Sequence, residues 1–281
     1  MTELRGRAAL VTGAGSGIGR GLAFALAAEG AAVAVADILP DTARAVAYSI
    51  NERGGAACSI PCDVSDREAV RSLKEQATAA LGDISLVFAN AGATSFERLT
   101  DMTEEDVDWI LQVNLLGVVN CMMVFLPGMI ARHRGGHVCA TASRAGLMPG
   151  LIPQHAAYSA AKMGVIGLML NLRIELAEFA IGSSVYCPGG VATGMKENNA
   201  LYRPQRFGGP KKKEEVNIGT HKAPRNYTPE QIAPMVLRAV KNNKPIILDH
   251  SEHRDLFEKT YHEAVMSAFD DIAEYERAEK W

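Results

Sequence analysis

Apolar-rich runs and helix-period segments alternate along most of this chain. The runs are RAALVT (7–12), AAVAVAD (31–37), AACSIPCDV (56–64), ISLVFANAG (84–92), GGHVCATAS (135–143) and IGSSVYCPGG (181–190). They show little polar alternation, the pattern of strands covered on both faces. Between them lie segments with the 3.6-residue period of helices: 20–30, 41–55, 66–82, 103–131 and 156–179. Gly30 closes the first, and Ser65 or Asp66 caps the third. Regular alternation of strand and helix predicts one doubly wound parallel sheet of about seven strands, with helices on both faces. The whole of 1–281 reads as a single domain.

Two regions depart from the rhythm. Residues 193–228 are polar and rich in Gly and Pro, a length that in a compact domain predicts a lid over a site, assigned to 194–228. Helical signal returns at TPEQIAPMVLRAVKNN (228–243), with Thr228 as cap and Pro229 in first position, and a short strand follows at KPIILD (244–249). The tail, 250–281, reads as one or two amphipathic helices, packed on a partner subunit or over a cleft. The run LLGVVNCMMVFLPGMIA (115–131) is shorter than the roughly 20 apolar residues of a membrane span. It carries Asn120 and Pro127 and continues the helix before it, so it reads as a buried helix rather than an anchor.

Composition narrows the class. The chain has 281 residues, 48% hydrophobic and 22% charged, enough for one large core. A net charge of −3 gives no positive field for nucleic acid. The five cysteines match no zinc or redox spacing and read as reduced thiols. The N-terminus has no apolar signal segment, and a cytoplasmic location is expected. No metal site is expected.

The chemistry begins at Gly13, Gly17 and Gly19, spaced TGxxxGxG between a strand and a helix. Such glycines let the backbone approach a pyrophosphate at a helix N-terminus. Asp37 ends the second strand, where a carboxylate can accept hydrogen bonds from both adenosine ribose hydroxyls and would repel a 2′-phosphate. Ile38, Leu39 and Pro40 follow it, and Ser16 in the glycine loop is uncharged, so NAD is expected over NADP. Tyr158 and Lys162 stand four apart and share a helix face. A nearby ammonium is expected to lower the phenol pKa and so make Tyr158 an acid/base. Ser143 ends the preceding strand, placed to hold a substrate oxygen.

Taken together and in order, TGAGSGIG, Asp63-Val64, ANAG (89–92), Asn114, Ser143, YSAAK (158–162) and PGGVAT (188–193) resemble the short-chain dehydrogenase/reductase family over about residues 5–195. The family usually has NNAG, and Ala89 takes the first place here. The resemblance implies a Rossmann-type fold and a cofactor site formed by Gly13, Ser16, Gly17, Ile18, Gly19, Asp37, Asp63, Val64, Asn90, Gly92, Tyr158, Lys162, Pro188, Gly189, Val191 and Thr193. Asp63 and Val64 are then expected at the adenine, Asn90 beside the central strand, and the Pro188–Thr193 segment at the nicotinamide. Ser143 would orient the substrate and Tyr158 transfer the proton. Lys162 would bind the ribose, with Asn114 completing a relay through a held water. Dimers or tetramers are expected.

A hydrophobic or aromatic secondary alcohol, or its ketone, is the expected substrate. Its walls are assigned to Ser95, Leu147, Met148, Gln154, His155 and Met195, with Ser143 at the reacting oxygen. Phe96, Leu151, Tyr202 and Phe207 are further candidates. Lys211–Lys213, with Arg203 and Arg206 nearby, read as a solvated charge run, the alternative being a seat for a carboxylate or a CoA phosphate. The segment 107–138 and the extended tail are similar to bacterial dehydrogenases that oxidise benzylic alcohols of lignin-type aryl ethers. The alternatives are an NADPH-linked ketone or 3-oxoacyl reductase, and a dinucleotide-binding sensor or structural oligomer without turnover.

Overall fold

Each apolar run forms a strand: β1 (Ala8–Thr12), β2 (Ala32–Asp37), β3 (Ala56–Pro61), β4 (Ile84–Ala89), β5 (Gly136–Thr141), β6 (Ile181–Cys187) and β7 (Ile246–Leu248). In the computed structural model, which describes residues 2–195, 202–211 and 226–279, these make one parallel sheet of order β3-β2-β1-β4-β5-β6-β7. The intervening segments form α1 (Gly17–Ala28), α2 (Pro40–Glu52), α3 (Arg67–Leu81), α4 (Glu104–Leu111), α5 (Gly117–Ala131), the one-turn α6 (Arg144–Leu147), α7 (Ala156–Glu175) and α8 (Pro229–Lys241).

The inner strands β1, β4, β5 and β6 are almost wholly buried because both faces are covered, whereas the edge strands β3 and β7 are partly exposed. Ala8, Leu10, Ala34, Ala36, Val87 and Ala89 turn to one core, which includes Val70 and Leu73 of α3, Cys121 and Phe125 of α5, and Val165 and Met169 of α7. Their neighbours Ala9, Val11, Val33, Val35, Leu86 and Phe88 turn to the other, with Leu22 and Leu26 of α1, Val46 and Ile50 of α2, and Ile232 and Val236 of α8. This is the two-residue period of a strand feeding two layers. Helix starts follow the capping signals: Asp66 accepts from Glu68 N and Ala69 N, while Thr228 and Gln231 form a reciprocal capping box.

The segment Glu104–Ala131 runs helical for 28 residues, long and apolar enough by length and composition to cross a membrane. Within the fold, 56% of its apolar window is buried, with Val118, Cys121, Met122, Phe125 and Met129 in the core. One π-turn, Gln112–Leu116, joins α4 to α5 and contains Asn114. Such turns are uncommon and recur at functional sites.

Among the described residues, none of 250–279 lines the cleft described below, although His253 touches Arg144 at its edge. Residues 251–262 are helical and run without a break into the terminal helix Glu263–Glu279, which is exposed over 263–278, including Phe269 and Ile272.

Candidate active site

The carboxyl ends of the strands converge where the order reverses, between β1 and β4. Open α/β sheets form their ligand crevice at this place. A cleft of about 790 Å³ opens there. At one end lies the glycine loop. Gly13 and Gly17 have φ of 62° and 51°, the left-handed region that favours glycine. A Cβ on Gly13 would stand 2.8 Å from Ala91 Cα, and one on Gly19 2.2 Å from the Gly13 carbonyl oxygen. Gly13, Ser16, Gly17 and Ile18 line the cleft, whereas Gly19 lies beneath the loop and lets it fold down. The Ser16 side chain makes no capping bond at the start of α1.

Asp37 is buried at the tip of β2. Its Oδ2 accepts from Gly15 N at 2.8 Å and its Oδ1 from Leu39 N at 3.0 Å. Burial raises its pKa, and the backbone donors partly offset this. Asp63 and Val64 line the same end, but Asp63 is already engaged. Its Oδ1 accepts from Ser65, and its Oδ2 from Arg206 at 2.6 Å. Asn90 binds across the central strands: its N donates to Thr12 Oγ1, its Nδ2 to the Thr12 carbonyl, and its Oδ1 accepts from Thr141 Oγ1.

At the other end, Ser143, Tyr158 and Lys162 face one another. Ser143 Oγ accepts from Ala145 N at 3.1 Å, which starts α6. Tyr158 and Lys162 are both buried, with Nζ 5.7 Å from the phenol ring centroid. Nζ donates to the Thr141 carbonyl at 2.8 Å. Burial pushes the Tyr158 phenol up to about 12, against a smaller pull down from its Ser143 hydrogen bond, and brings Lys162 down to about 8. This corrects the expected lowering of the phenol: in the protein alone, loss of solvent decides the direction, and it is the Ser143 hydrogen bond that opposes it. Asn114 is fully buried behind Gly92. Its Oδ1 accepts from Ala93 N and its Nδ2 donates to the Ile110 carbonyl. A Cβ on Gly92 would lie 3.0 Å from Asn114 Oδ1 and 3.4 Å from Lys162 Nζ, so glycine leaves open the space between them. Pro188, Gly189, Val191 and Thr193 form the remaining edge.

Known proteins resemble this chain in sequence and fold. Residues 7–202 match the short chain dehydrogenase family. The chain belongs to that family. It is 32% identical over 265 residues to a C alpha-dehydrogenase of Sphingobium sp., covering 93% of this chain and 86% of that one. It is 35% identical over 216 residues to the (-)-trans-carveol dehydrogenase of Rhodococcus erythropolis, covering 72% and 77%. A short chain dehydrogenase/reductase from Burkholderia phymatum, solved in complex with NAD, superposes with a TM-score of 0.87 at 26% identity, covering 95% of this chain and 97% of that one. This short chain dehydrogenase is therefore an oxidoreductase, and the dinucleotide of that neighbour is the group against which its cleft can be compared. Its residues fit that group: glycines clear the backbone where a Cβ would collide, and a carboxylate stands at the tip of β2.

The substrate wall differs from expectation. His155 and Met195 line the dehydrogenase's cleft; Ser95, Leu147, Met148 and Gln154 do not. Ser95 is buried and offers its carbonyl to His155 Nδ1. Leu147 ends α6 and packs into the core, while Met148 and Leu151 are enclosed. Gln154 points to solvent from a left-handed φ of 56°. Because Ser143 turns the chain into α6, the apolar residues after it fold inward. Beside the expected Phe96, His155 and Met195, the wall contains Ile152, Trp109 from α4 and Val113 from the π-turn. Arg144, beside Ser143, also lines the cleft and approaches His253 Nε2 at 3.1 Å. No local pattern marks Trp109 or Val113 as site residues.

The basic run is not wholly solvated. Arg203 is buried and pairs with Asp106, Lys211 Nζ reaches Asp106 Oδ2 at 2.6 Å, and Arg206 holds Asp63. These contacts pin 202–211 against α4, with Tyr202 and Pro204 on the cleft rim and Phe207 buried beside Trp109. The rest of the expected lid, including Lys212 and Lys213, lies outside the described residues.

Proposed function

We propose that this dehydrogenase interconverts an apolar, ring-bearing secondary alcohol and its ketone, with NAD as the preferred dinucleotide. The observation that carries this reading is that Ser143, Tyr158 and Lys162 meet at the foot of a wall of aromatic and aliphatic side chains. The bound dinucleotide would accept or supply the hydride. Ser143 holds the substrate oxygen, and Tyr158 Oη takes or gives its proton. Lys162, fixed by the Thr141 carbonyl, keeps a positive charge beside the phenol. Across the space that Gly92 leaves, Asn114 Oδ1 faces the amine, where a relay to solvent would pass. The names of the C alpha-dehydrogenase and the carveol dehydrogenase point the same way. The test is dinucleotide reduction with a panel of secondary alcohols. Turnover of 1-arylethanols and cyclic terpenoid alcohols supports the reading, and activity confined to sugars or acyl thioesters overturns it.

The cofactor preference rests on Asp37, followed by Ile38 and Leu39 rather than a cation. Wild type is expected to favour NAD in kcat/KM. Asp37→Ala should lower kcat/KM for NAD by about 10- to 100-fold, the size of a lost hydrogen bond to a charged group, while NADP loses less. A wild type that prefers NADP would refute the assignment.

We also propose that copies pair through the apolar helices, where Leu116 and Met123 of the segment 104–131 and Ile174 of α7 are exposed. Light scattering should report a dimer or tetramer, and a monomer at micromolar concentration would count against it.

A further inference from the structure

We infer that His155 determines specificity by accepting a hydrogen bond from a second hydroxyl of the substrate, carried on its ring beyond the reacting carbinol. This rests on the alcohol/ketone reading of the cleft. His155 is 5% exposed, and its ring stacks on Phe96 with centroids 4.6 Å apart and meets Tyr158 at 4.3 Å. Its Nδ1 lies 2.6 Å from the Ser95 carbonyl oxygen. A carbonyl only accepts, so Nδ1 carries the hydrogen and Nε2 of the neutral ring holds a lone pair. Burial favours the neutral ring, bringing its pKa down to about 4 against the opposing pull of the Ser95 carbonyl.

Among the described residues, no protein group meets Nε2, although the ring lines the cleft. A buried polar atom without a partner calls for a ligand or a cost in free energy. The fold treats a purely structural histidine otherwise: His137, also buried, has Nδ1 3.0 Å from Thr2 Oγ1 and Nε2 2.9 Å from Ser184 Oγ. The backbone adds a second sign. Gln154, which is not glycine, takes a left-handed φ of 56° immediately before His155. Such conformations persist where the surroundings over-determine them, often at sites. Here the bend brings an imidazole between two aromatic rings, and the ring that lines the cleft carries an acceptor with no hydrogen bond from another described residue. The matching ligand is flat near that wall and carries an O–H donor.

The experiment compares 1-(2-, 3- and 4-hydroxyphenyl)ethanol with their methyl ethers as substrates. It also measures binding of the corresponding hydroxy- and methoxyacetophenones by calorimetry, with wild type and His155→Phe. Phe keeps the ring stack and removes the acceptor. In wild type, at least one hydroxyl isomer should exceed its ether by about tenfold or more in kcat/KM, because a site built to pair a hydroxyl discriminates against its loss. The ratio should approach one in His155→Phe. Equal values for all three pairs in wild type, or a ratio unchanged in the variant, overturns the role of His155. The wild-type comparison needs no variant to fold. Turnover without hydroxyl preference sinks this inference and leaves the alcohol/ketone reading. Hydroxyl-dependent ketone binding without hydride transfer does the reverse, and neither binding nor turnover sinks both.

Discussion

Replacing Tyr158 by Phe is expected to lower kcat for alcohol oxidation and for ketone reduction by about 10³-fold, the usual worth of a positioned acid/base. The substitution removes one oxygen at the cleft and leaves the buried ring against His155, so folding should be preserved. Dinucleotide affinity, measured by calorimetry, should stay within about fivefold, the worth of a single lost hydrogen bond. The glycine loop and Asp37 are untouched. Loss of binding in parallel with turnover would show that Tyr158 builds the cleft rather than moving a proton.

The same residue gives a pH signature with a definite sign. A phenol near 12 holds its proton at neutral pH, and an amine near 8 is mostly charged at pH 7. The site as folded is therefore set to donate a proton. Ketone reduction should change little between pH 6 and pH 7. Alcohol oxidation needs the deprotonated phenol, so it should rise with pH across that interval by up to about tenfold per unit. An oxidation rate falling with pH there would exclude Tyr158 as the base.

What could be read from the residues follows from how local each cause is. The strands are legible because burial on both faces leaves continuous apolar runs. Gly13 and Asp37 are legible because a strand-to-helix turn and a strand tip are local features. Tyr158 and Lys162 share a face by helical period alone. The phenol's pKa was not legible, since it depends on packing around Tyr158 that no spacing records. Nor was the substrate wall. Leu147 and Met148 are apolar and close to Ser143 in sequence, yet α6 turns them inward, while Trp109 and Val113 reach the cleft from α4 and the π-turn. Arg203 and Lys211 lie in a polar stretch that looks solvated, and their partner Asp106 is about a hundred residues away in the chain.

Asp106 is also where the largest stability effect is expected. It is 3% exposed and receives Arg203, Lys211 and the Thr103 N–H, the last at 2.9 Å. Burial alone would raise its pKa. Lys211, the Thr103 N–H and Arg203 together outweigh it and hold the carboxyl well below its ordinary 3.8. Removing the carboxylate leaves the Arg203 guanidinium buried over Trp109 without its counter-charge. Asp106→Ala should therefore cost about 3–5 kcal/mol, lowering Tm by about 5–8 °C. Lys211→Ala, whose side chain is 42% exposed, should cost under about 1 kcal/mol. The linkage sign is fixed: a carboxyl with a depressed folded pKa contributes stability above its unfolded value, and that contribution is lost as pH falls. Wild type should then lose stability on acidification below about pH 4 more steeply than Asp106→Asn does. Because 202–211 is held by these contacts and brings Tyr202 and Pro204 to the cleft, Asp106→Asn should also open that segment to protease at neutral pH. Thermal melts and limited proteolysis of the three variants check both effects. Equal melting temperatures for Asp106→Ala and Lys211→Ala would show that the buried pair contributes nothing beyond a surface contact.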